Sequence, residues 1–80
     1  MALIRGKWAA FSKHASEAMA AERPALDVND VREVLENPDH DDGRQAFKRI
    51  GERTLLVYYE EDESQVFIRS ASATRRRFPA

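Results

Sequence analysis

Three apolar runs in the second half of the chain predict a β-meander. The central run, Thr54 to Tyr59, contains β-branched, aliphatic and aromatic residues without any charge, which is typical of a strand covered on both faces. Turn-forming residues separate it from an earlier run, Arg44 to Ile50, and from a later alternating run, Gln65 to Ser72. The pattern therefore predicts three consecutive antiparallel strands.

Strand alternation assigns the side chains of the two outer runs to opposite faces. In the first run, Phe47 and Arg49 are expected on one face and Lys48 on the other. The last run divides into two sets, with Val66, Ile68 and Ser70 on one face and Phe67, Arg69 and Ala71 on the other. Basic side chains from both outer strands are therefore expected around an apolar centre.

Two amphipathic helices are predicted before these strands. Ser12 is a suitable N-cap for a helix from Lys13 to about Glu22, and Pro24 ends it because the residue before a proline avoids the helical region. Asp27 is a suitable N-cap for a second helix from about Val28 to Glu36. Both helices carry apolar residues at three- and four-residue spacing, so we expect them to pack on one face of the sheet.

The remaining segments are short. Residues 1–11 fit either an edge strand or an extra turn, and residues 38–43 form a polar loop. Residues 73–80, with three consecutive arginines, form either a last helical turn or a tail. Residues 1–80 are thus predicted to be a single α+β domain, in which two N-terminal helices pack on a three- to four-stranded antiparallel sheet.

Composition and charge narrow the class of function. The chain has 80 residues and no cysteine, which excludes disulfides and thiolate metal sites and favours a cytoplasmic location. No apolar run reaches the roughly 18 residues of a membrane span, so we expect no membrane partner. Residues 1–43 carry a net charge of −4 and residues 44–80 a net charge of +3. The predicted sheet is therefore the part suited to bind an anion.

The candidate functional residues are mostly basic. Cations from neighbouring strands can converge on one phosphate, and the candidates for this role are Arg23, Lys48, Arg49, Arg53 and Arg69. His14, near the start of the first helix, is a candidate general acid or base. Structural roles are the alternatives: a solvated basic face for the cations, and helix packing or capping for His14.

The sequence contains no recognised metal or cofactor motif. His40 lies in an acidic turn, residues 39–42, which fits a solvated turn better than a divalent-cation site. Tyr58 and Tyr59 point to opposite faces of their strand, so at most one fills the core, and the other either packs under a helix or stacks on a nucleobase. We therefore expect no metal and no cofactor.

The chain also resembles a small family of bacterial domains. The first helix carries Ser12-Lys13-His14-Ala15, then Met19 and Glu22-Arg23, which resemble a signature of the form HAxxRMxxR. The run Phe67-Ile68-Arg69-Ser70-Ala71-Ser72 is similar to the last strand of BrnT-type toxins. Both groups are related to the RelE-like ribonuclease fold of toxin–antitoxin systems, and the resemblance covers roughly residues 12–78.

This resemblance implies a RelE/BrnT-like fold and the toxin-like member of a toxin–antitoxin pair. Such toxins cleave RNA without a metal, by attack of a ribose 2′-hydroxyl on the adjacent phosphate. For this chain, the resemblance implies that His14 moves a proton. It also implies that Arg23, Arg69 and one of Lys48 or Arg49 stabilise charge on the phosphate. RNA and a cognate antitoxin protein are the partners that it implies.

A non-catalytic protein-interaction module of the same fold is the alternative. The slightly acidic net charge and Ala18, which stands where the signature has arginine, favour it. The sequence leaves the oligomeric state open.

Overall fold

The computed structural model describes residues 2–75 as six strands and two helices. In chain order these elements are β1 (Ala2–Ile4), β2 (Lys7–Phe11), α1 (Lys13–Ala21), α2 (Val28–Glu36), β3 (His40–Asp41), β4 (Gln45–Ile50), β5 (Arg53–Glu61) and β6 (Gln65–Thr74). The strands form one sheet in the order β1-β2-β6-β5-β4-β3. Strands β2 and β6 pair in parallel, and the other neighbouring pairs are antiparallel.

The chain is α+β, but the predicted arrangement of its sheet is wrong. Two strands precede the helices, and the sheet is mixed and six-stranded rather than antiparallel with three or four strands. The pattern of residues 1–11 was ambiguous because β1 and β2 are short strands of a hairpin. Its two-residue turn, Arg5-Gly6, has positive φ at both positions. The predicted polar loop, residues 38–43, also contributes a two-residue strand, β3.

Both helices begin at the predicted capping residues. The Ser12 hydroxyl accepts a hydrogen bond from the Ala15 N–H at 2.9 Å. Asp27 and Asp30 accept hydrogen bonds from each other's main-chain N–H, which forms a capping box at the start of α2. Both predicted N-caps are therefore confirmed. They could be predicted because an N-cap depends only on residues within one turn of the helix start. Among residues 2–75, neither helix has the length and apolar character needed to cross a membrane.

The core lies between the two helices and one face of the sheet, the inner face. Helix α1 packs on β6, whereas α2 contacts β1, β4 and β5, so the sheet curls around α2. The buried apolar residues are Ile4, Ala15, Met19, Leu26, Val31, Val34, Leu35, Ala46, Leu55, Val57, Tyr59, Val66, Ile68 and Ala71. Strand β5 was expected to be covered on both faces, but its other face is covered only in part, since Thr54 is 2% exposed there and Tyr58 is 42% exposed.

A β-bulge in β6 overturns the strict alternation predicted for that strand. The register with β5 shifts between Tyr58 and Tyr59, so that Ile68 pairs with Tyr59 and Ala71 pairs with Val57. Ile68 and Ala71 are both buried against the helices. Ser70, the partner of Tyr58, therefore points away from the core, because the bulge inserts one extra residue.

Arg5 joins the two ends of the curled sheet. It lies in the turn between β1 and β2, at one edge, and its guanidinium forms an ion pair with Asp41 of β3, the strand at the other edge. The same guanidinium donates to the Leu35 carbonyl of α2 at 2.7 Å. It also donates to the Glu61 carboxylate at 2.9 Å and to the Tyr59 hydroxyl at 3.3 Å. With 24% of its side chain exposed, Arg5 is largely enclosed by these partners.

The surroundings of Arg5 hold its partners in the charge states that favour the pairing. Burial raises the pKa of Asp41, but hydrogen bonds from the Tyr59 hydroxyl, the Gly43 N–H and Arg5 outweigh burial and lower it overall. Burial lowers the pKa of Arg5, but hydrogen bonds with Asp41 and Tyr59 raise it overall. Burial, together with the hydrogen bond to Asp41, raises the pKa of Tyr59. Asp41 is therefore ionised, and Tyr59 neutral, at neutral pH.

We expect Arg5→Met to lower the free energy of unfolding by about 2 to 3 kcal/mol, because it leaves the Asp41 carboxylate enclosed without its cation. Chemical denaturation followed by circular dichroism measures this loss. Arg23→Met is the matched control, since the exposed Arg23 guanidinium donates only to the carbonyls of Ala20 and Glu22 at the end of its own helix. Equal losses of stability in the two variants would contradict the role assigned to Arg5.

Candidate functional site

The structure does not bring the predicted basic residues together. Lys48 and Arg49 are adjacent in β4, so their side chains point to opposite faces of the sheet. Lys48 lies on the inner face, where its Nζ donates to the Asn37 carbonyl at 2.8 Å and lies 3.9 Å from the Asp39 carboxylate. Lys48 therefore caps the end of α2 and does not share a surface with Arg49.

Arg49 and Arg53 are engaged by main-chain carbonyls. The Arg49 Nε donates to the Gly51 carbonyl at 3.0 Å, and its Nη1 is buried. The Arg53 Nη1 donates to the Pro24 carbonyl at 2.7 Å, which ties the start of β5 to the loop between the helices. These contacts give both arginines a structural role.

His14 and Arg23 lie at opposite ends of α1. His14 lies on the first turn of α1, which ends at Ala21, and Arg23 lies two positions beyond that end; both residues are exposed. The Arg23 guanidinium donates to the Ala20 and Glu22 carbonyls, each at 3.0 Å. Arg23 is therefore engaged at the C-terminal end of α1, whereas His14 lies at its N-terminal end.

Arg69 stays available to a ligand. Its side chain is 61% exposed, and its Nη1 lies 3.3 Å from the carboxylate of Glu60, which is 62% exposed. An ion pair with this exposure contributes less than about 1 kcal/mol, so Arg69 can exchange Glu60 for another anion. The main chain at Arg69 is fixed, because its carbonyl accepts a hydrogen bond from the Ser12 hydroxyl at 2.9 Å.

The helix-free face of the sheet, which we call the outer face, carries a row of mostly aromatic side chains. Each strand contributes one member of this aromatic row: Leu3 from β1, Trp8 from β2, Phe67 from β6, Tyr58 from β5, Phe47 from β4 and His40 from β3. Leu3 pairs with Trp8 across β1 and β2, and the rings of His40 and Phe47 stack with centroids 5.2 Å apart. Phe67, Tyr58 and Phe47 are each offset by two positions along their strand from the residue that pairs with the preceding member, so the row crosses the sheet diagonally.

Three members of the aromatic row are exposed large hydrophobic residues. Leu3 is 49% exposed, Trp8 is 53% exposed and Tyr58 is 42% exposed. Both helices pack on the inner face, so within residues 2–75 no helix covers the row. Leu3 and Trp8 are cross-strand partners, and Tyr58 lies two strands away from Trp8 on the same face. Exposed apolar side chains that share one face indicate a binding surface.

A depression of about 200 Å³ lies beside Tyr58 on the outer face. Its lining residues are Arg44, Tyr58, Tyr59, Glu60 and Arg69. Arg44 precedes β4 and Arg69 belongs to β6, so cations from separate parts of the chain meet at one depression. Such convergence was predicted, but for different residues, and Arg69 is the predicted member that takes part in it.

Trp8, Arg44 and Glu60 were not identified from the sequence. Trp8 lies in the hairpin whose structure was ambiguous, and Arg44 was taken only as the start of a strand. The pattern did indicate that Tyr58 or Tyr59 would be available for stacking, and the buried Tyr59 and exposed Tyr58 confirm that at most one fills the core. The other members of the site become recognisable only when the register of the strands is known.

The acidic turn binds its own main chain. The Asp41 carboxylate accepts from the Gly43 N–H, and the Asp42 carboxylate accepts from the Arg44 and Gln45 N–H groups, which lower the pKa of Asp42. Over residues 2–75, no group of three or more His, Cys, Asp or Glu side chains is arranged to hold a metal ion. Of the predicted arginine tail, residues 76–80 lie outside the described residues.

Comparisons with known proteins add no assignment. No protein-family model, curated protein or solved structure matches the chain. The relation to BrnT- and RelE-like toxins therefore stays a prediction, and function is argued from the site alone.

Proposed function

We propose that this protein binds single-stranded RNA on the outer face of its sheet. The observation that carries the proposal is the aromatic row, with Arg44 and Arg69 beside it. Open β-sheets hold single-stranded RNA by stacking its bases on aromatic side chains while basic groups contact its phosphates. Trp8 and Tyr58, each about half exposed, are suited to such stacking.

The charge of the outer face supports an anionic ligand. Among the described strand residues that point outward, Arg69 is the exposed cation and Glu60 is the carboxylate, and Arg44 adds a cation at the depression. Arg49 also points outward, but its guanidinium is held by the Gly51 carbonyl and its Nη1 is buried. Nine of the fourteen Asp and Glu residues belong to residues 1–43, the part of the chain that contains both helices. An RNA strand on the outer face therefore meets a locally positive surface although the whole chain is slightly acidic.

We expect Trp8→Ala and Tyr58→Ala each to weaken binding of an eight-nucleotide single-stranded RNA by about tenfold, because stacking of one base on an aromatic side chain contributes about 1 to 3 kcal/mol. Fluorescence anisotropy of a labelled oligonucleotide at low salt measures the change. Trp8 is the single tryptophan of the chain, so quenching of its emission by unlabelled RNA gives an independent measurement.

Arginine variants provide the matched control for this experiment. Arg69→Ala is expected to weaken RNA binding, whereas Arg23→Ala removes the same charge at the far end of α1 and is expected to leave binding unchanged. Circular dichroism verifies that each variant is folded. Absence of binding by the wild-type protein, or equal binding by the wild type and both aromatic variants, would contradict the proposal.

RNA cleavage of the toxin-like kind is a second proposal, which the meeting of Arg44 and Arg69 at one depression favours. Guanidinium groups at such a site are suited to stabilise the charge that develops on a phosphate during 2′-hydroxyl attack. His14, on the first turn of α1, is not among the residues that line the depression. We therefore assign it no role in this chemistry.

Cleavage is expected to fall about 100-fold in Arg44→Ala and Arg69→Ala and to be unchanged in His14→Ala. The measurement is the rate at which new RNA ends form when purified protein is incubated with ribosomes and RNA. Loss of cleavage in His14→Ala but not in Arg44→Ala would favour the residues implied by the resemblance. A wild-type protein that cuts no RNA would reject this second proposal and leave RNA binding in place.

A partner protein, such as the antitoxin implied by the resemblance, is the alternative occupant of the outer face. The exposed Leu3 and Trp8 favour it, because tryptophan, tyrosine and arginine are enriched at the centres of protein interfaces. Salt distinguishes the two ligands: affinity for RNA falls steeply as salt concentration rises, whereas an apolar protein interface is much less sensitive.

A further inference from the structure

We propose that the depression beside Tyr58 is a subsite for a guanine base. This inference rests on the proposed binding of RNA and adds the identity of the base. The depression, of about 200 Å³, combines an aromatic ring, a carboxylate and two guanidinium groups, which belong to Tyr58, Glu60, Arg44 and Arg69. These are the groups that read the face and the two hydrogen-bonding edges of a purine.

Tyr58 provides the surface on which the base stacks. Its side chain is 42% exposed on the outer face. Its cross-strand partners are Gln45 in β4 and Ser70 in β6, and both are polar residues without a ring. The ring of Tyr58 is therefore suited to stack on a ligand.

Glu60 is the residue that distinguishes the bases. The Watson–Crick edge of guanine presents two adjacent donors, N1–H and the N2 amino group, and an ionised carboxylate accepts hydrogen bonds from both. Adenine and cytosine present a ring nitrogen that is an acceptor at the same edge, and uracil presents one donor between two carbonyls. A carboxylate at this place therefore favours guanine over the other three bases.

Arg69 complements the neighbouring edge of the same base. Guanine O6 and N7 are both acceptors, and one guanidinium binds them with two parallel hydrogen bonds. The Arg69 Nη1 lies 3.3 Å from the Glu60 Oε1, so the guanidinium and the carboxylate lie side by side, as O6 and N1–H do on guanine. Both side chains are about 60% exposed, so their ion pair is readily exchanged for contacts with the base. Arg44 is then available for a phosphate.

The β-bulge produces this arrangement. The shift of register between Tyr58 and Tyr59 inserts an extra residue in β6, so that Arg69 and Ser70 both lie on the outer face opposite Tyr58. Strict alternation would have turned one of them toward the core. Bulges are often found next to functional sites because they redirect a side chain in this way.

The test measures binding of eight-nucleotide uridine oligonucleotides that carry one central guanosine, adenosine, cytidine or uridine. We expect the guanosine oligonucleotide to bind about tenfold more tightly than the all-uridine one. Inosine in the same position lacks the N2 amino group and should lose most of this gain. 7-Deazaguanosine lacks the N7 acceptor and should lose part of it.

Two glutamate variants complete the experiment. Glu60→Gln is expected to abolish the preference for guanosine, because the amide no longer presents two acceptor oxygens. Glu63→Gln, an exposed glutamate in the turn between β5 and β6, removes the same charge and should keep the preference.

Each outcome has a defined meaning. Equal binding of all four oligonucleotides, or a guanosine preference that persists in Glu60→Gln, would overturn the guanine subsite and leave RNA binding intact. Failure of the wild-type protein to bind any of them would overturn both the subsite and the proposed function.

Discussion

The shape of the sheet depends on the ion pair between the Arg5 guanidinium and Asp41. In the strand order, four strands separate the edge strands β1 and β3, yet Arg5 reaches from the turn after β1 to Asp41 in β3. Arg5 itself has a φ of 58°, a conformation that costs free energy for a residue other than glycine. The hydrogen bonds to Leu35, Glu61 and Tyr59 offset this cost and fix the end of α2 inside the curl.

The curl gives the two faces of the sheet different functions. The inner face encloses α2 through contacts with β1, β4 and β5, and it supplies the apolar core. The outer face keeps its aromatic row accessible, because both helices are held on the other side. The proposed RNA surface and its subsite therefore follow from the same constraint: with the sheet closed around α2, neither helix within residues 2–75 covers the aromatic row.

Local sequence features predicted the helices and the long strands well. The N-caps at Ser12 and Asp27 act within a few residues, so the sequence indicates them directly. The hairpin of β1 and β2 was not resolved, since its strands are short and Arg5-Gly6 is not among the usual pairs for such a turn. The parallel pairing of β2 with β6 joins residues more than fifty positions apart and has no local pattern.

The candidate site was predicted less well, because its residues come together only through the pairing of distant strands. Lys48 and Arg49 were grouped with Arg69 as cations of one sheet, although neighbours in a strand point to opposite faces. The bulge that brings Arg69 and Ser70 to the same face depends on the register between β5 and β6, which the alternation of residues does not reveal. That at most one of Tyr58 and Tyr59 would fill the core was predictable, because it required only their alternation, whereas the choice between helix packing and base stacking for the other was left open.

Residue-by-residue hydrogen exchange of the native protein, compared between the wild type and Arg5→Met, tests the central claim most directly. If Arg5 holds the sheet closed, the edge strand β3 should open separately in the variant. The Asp39 N–H, which donates to the Phe47 carbonyl at 2.9 Å, should then exchange much faster, while amides between β5 and β6 exchange only through global unfolding. Equal acceleration in all strands, or unchanged exchange at Asp39, would contradict the account.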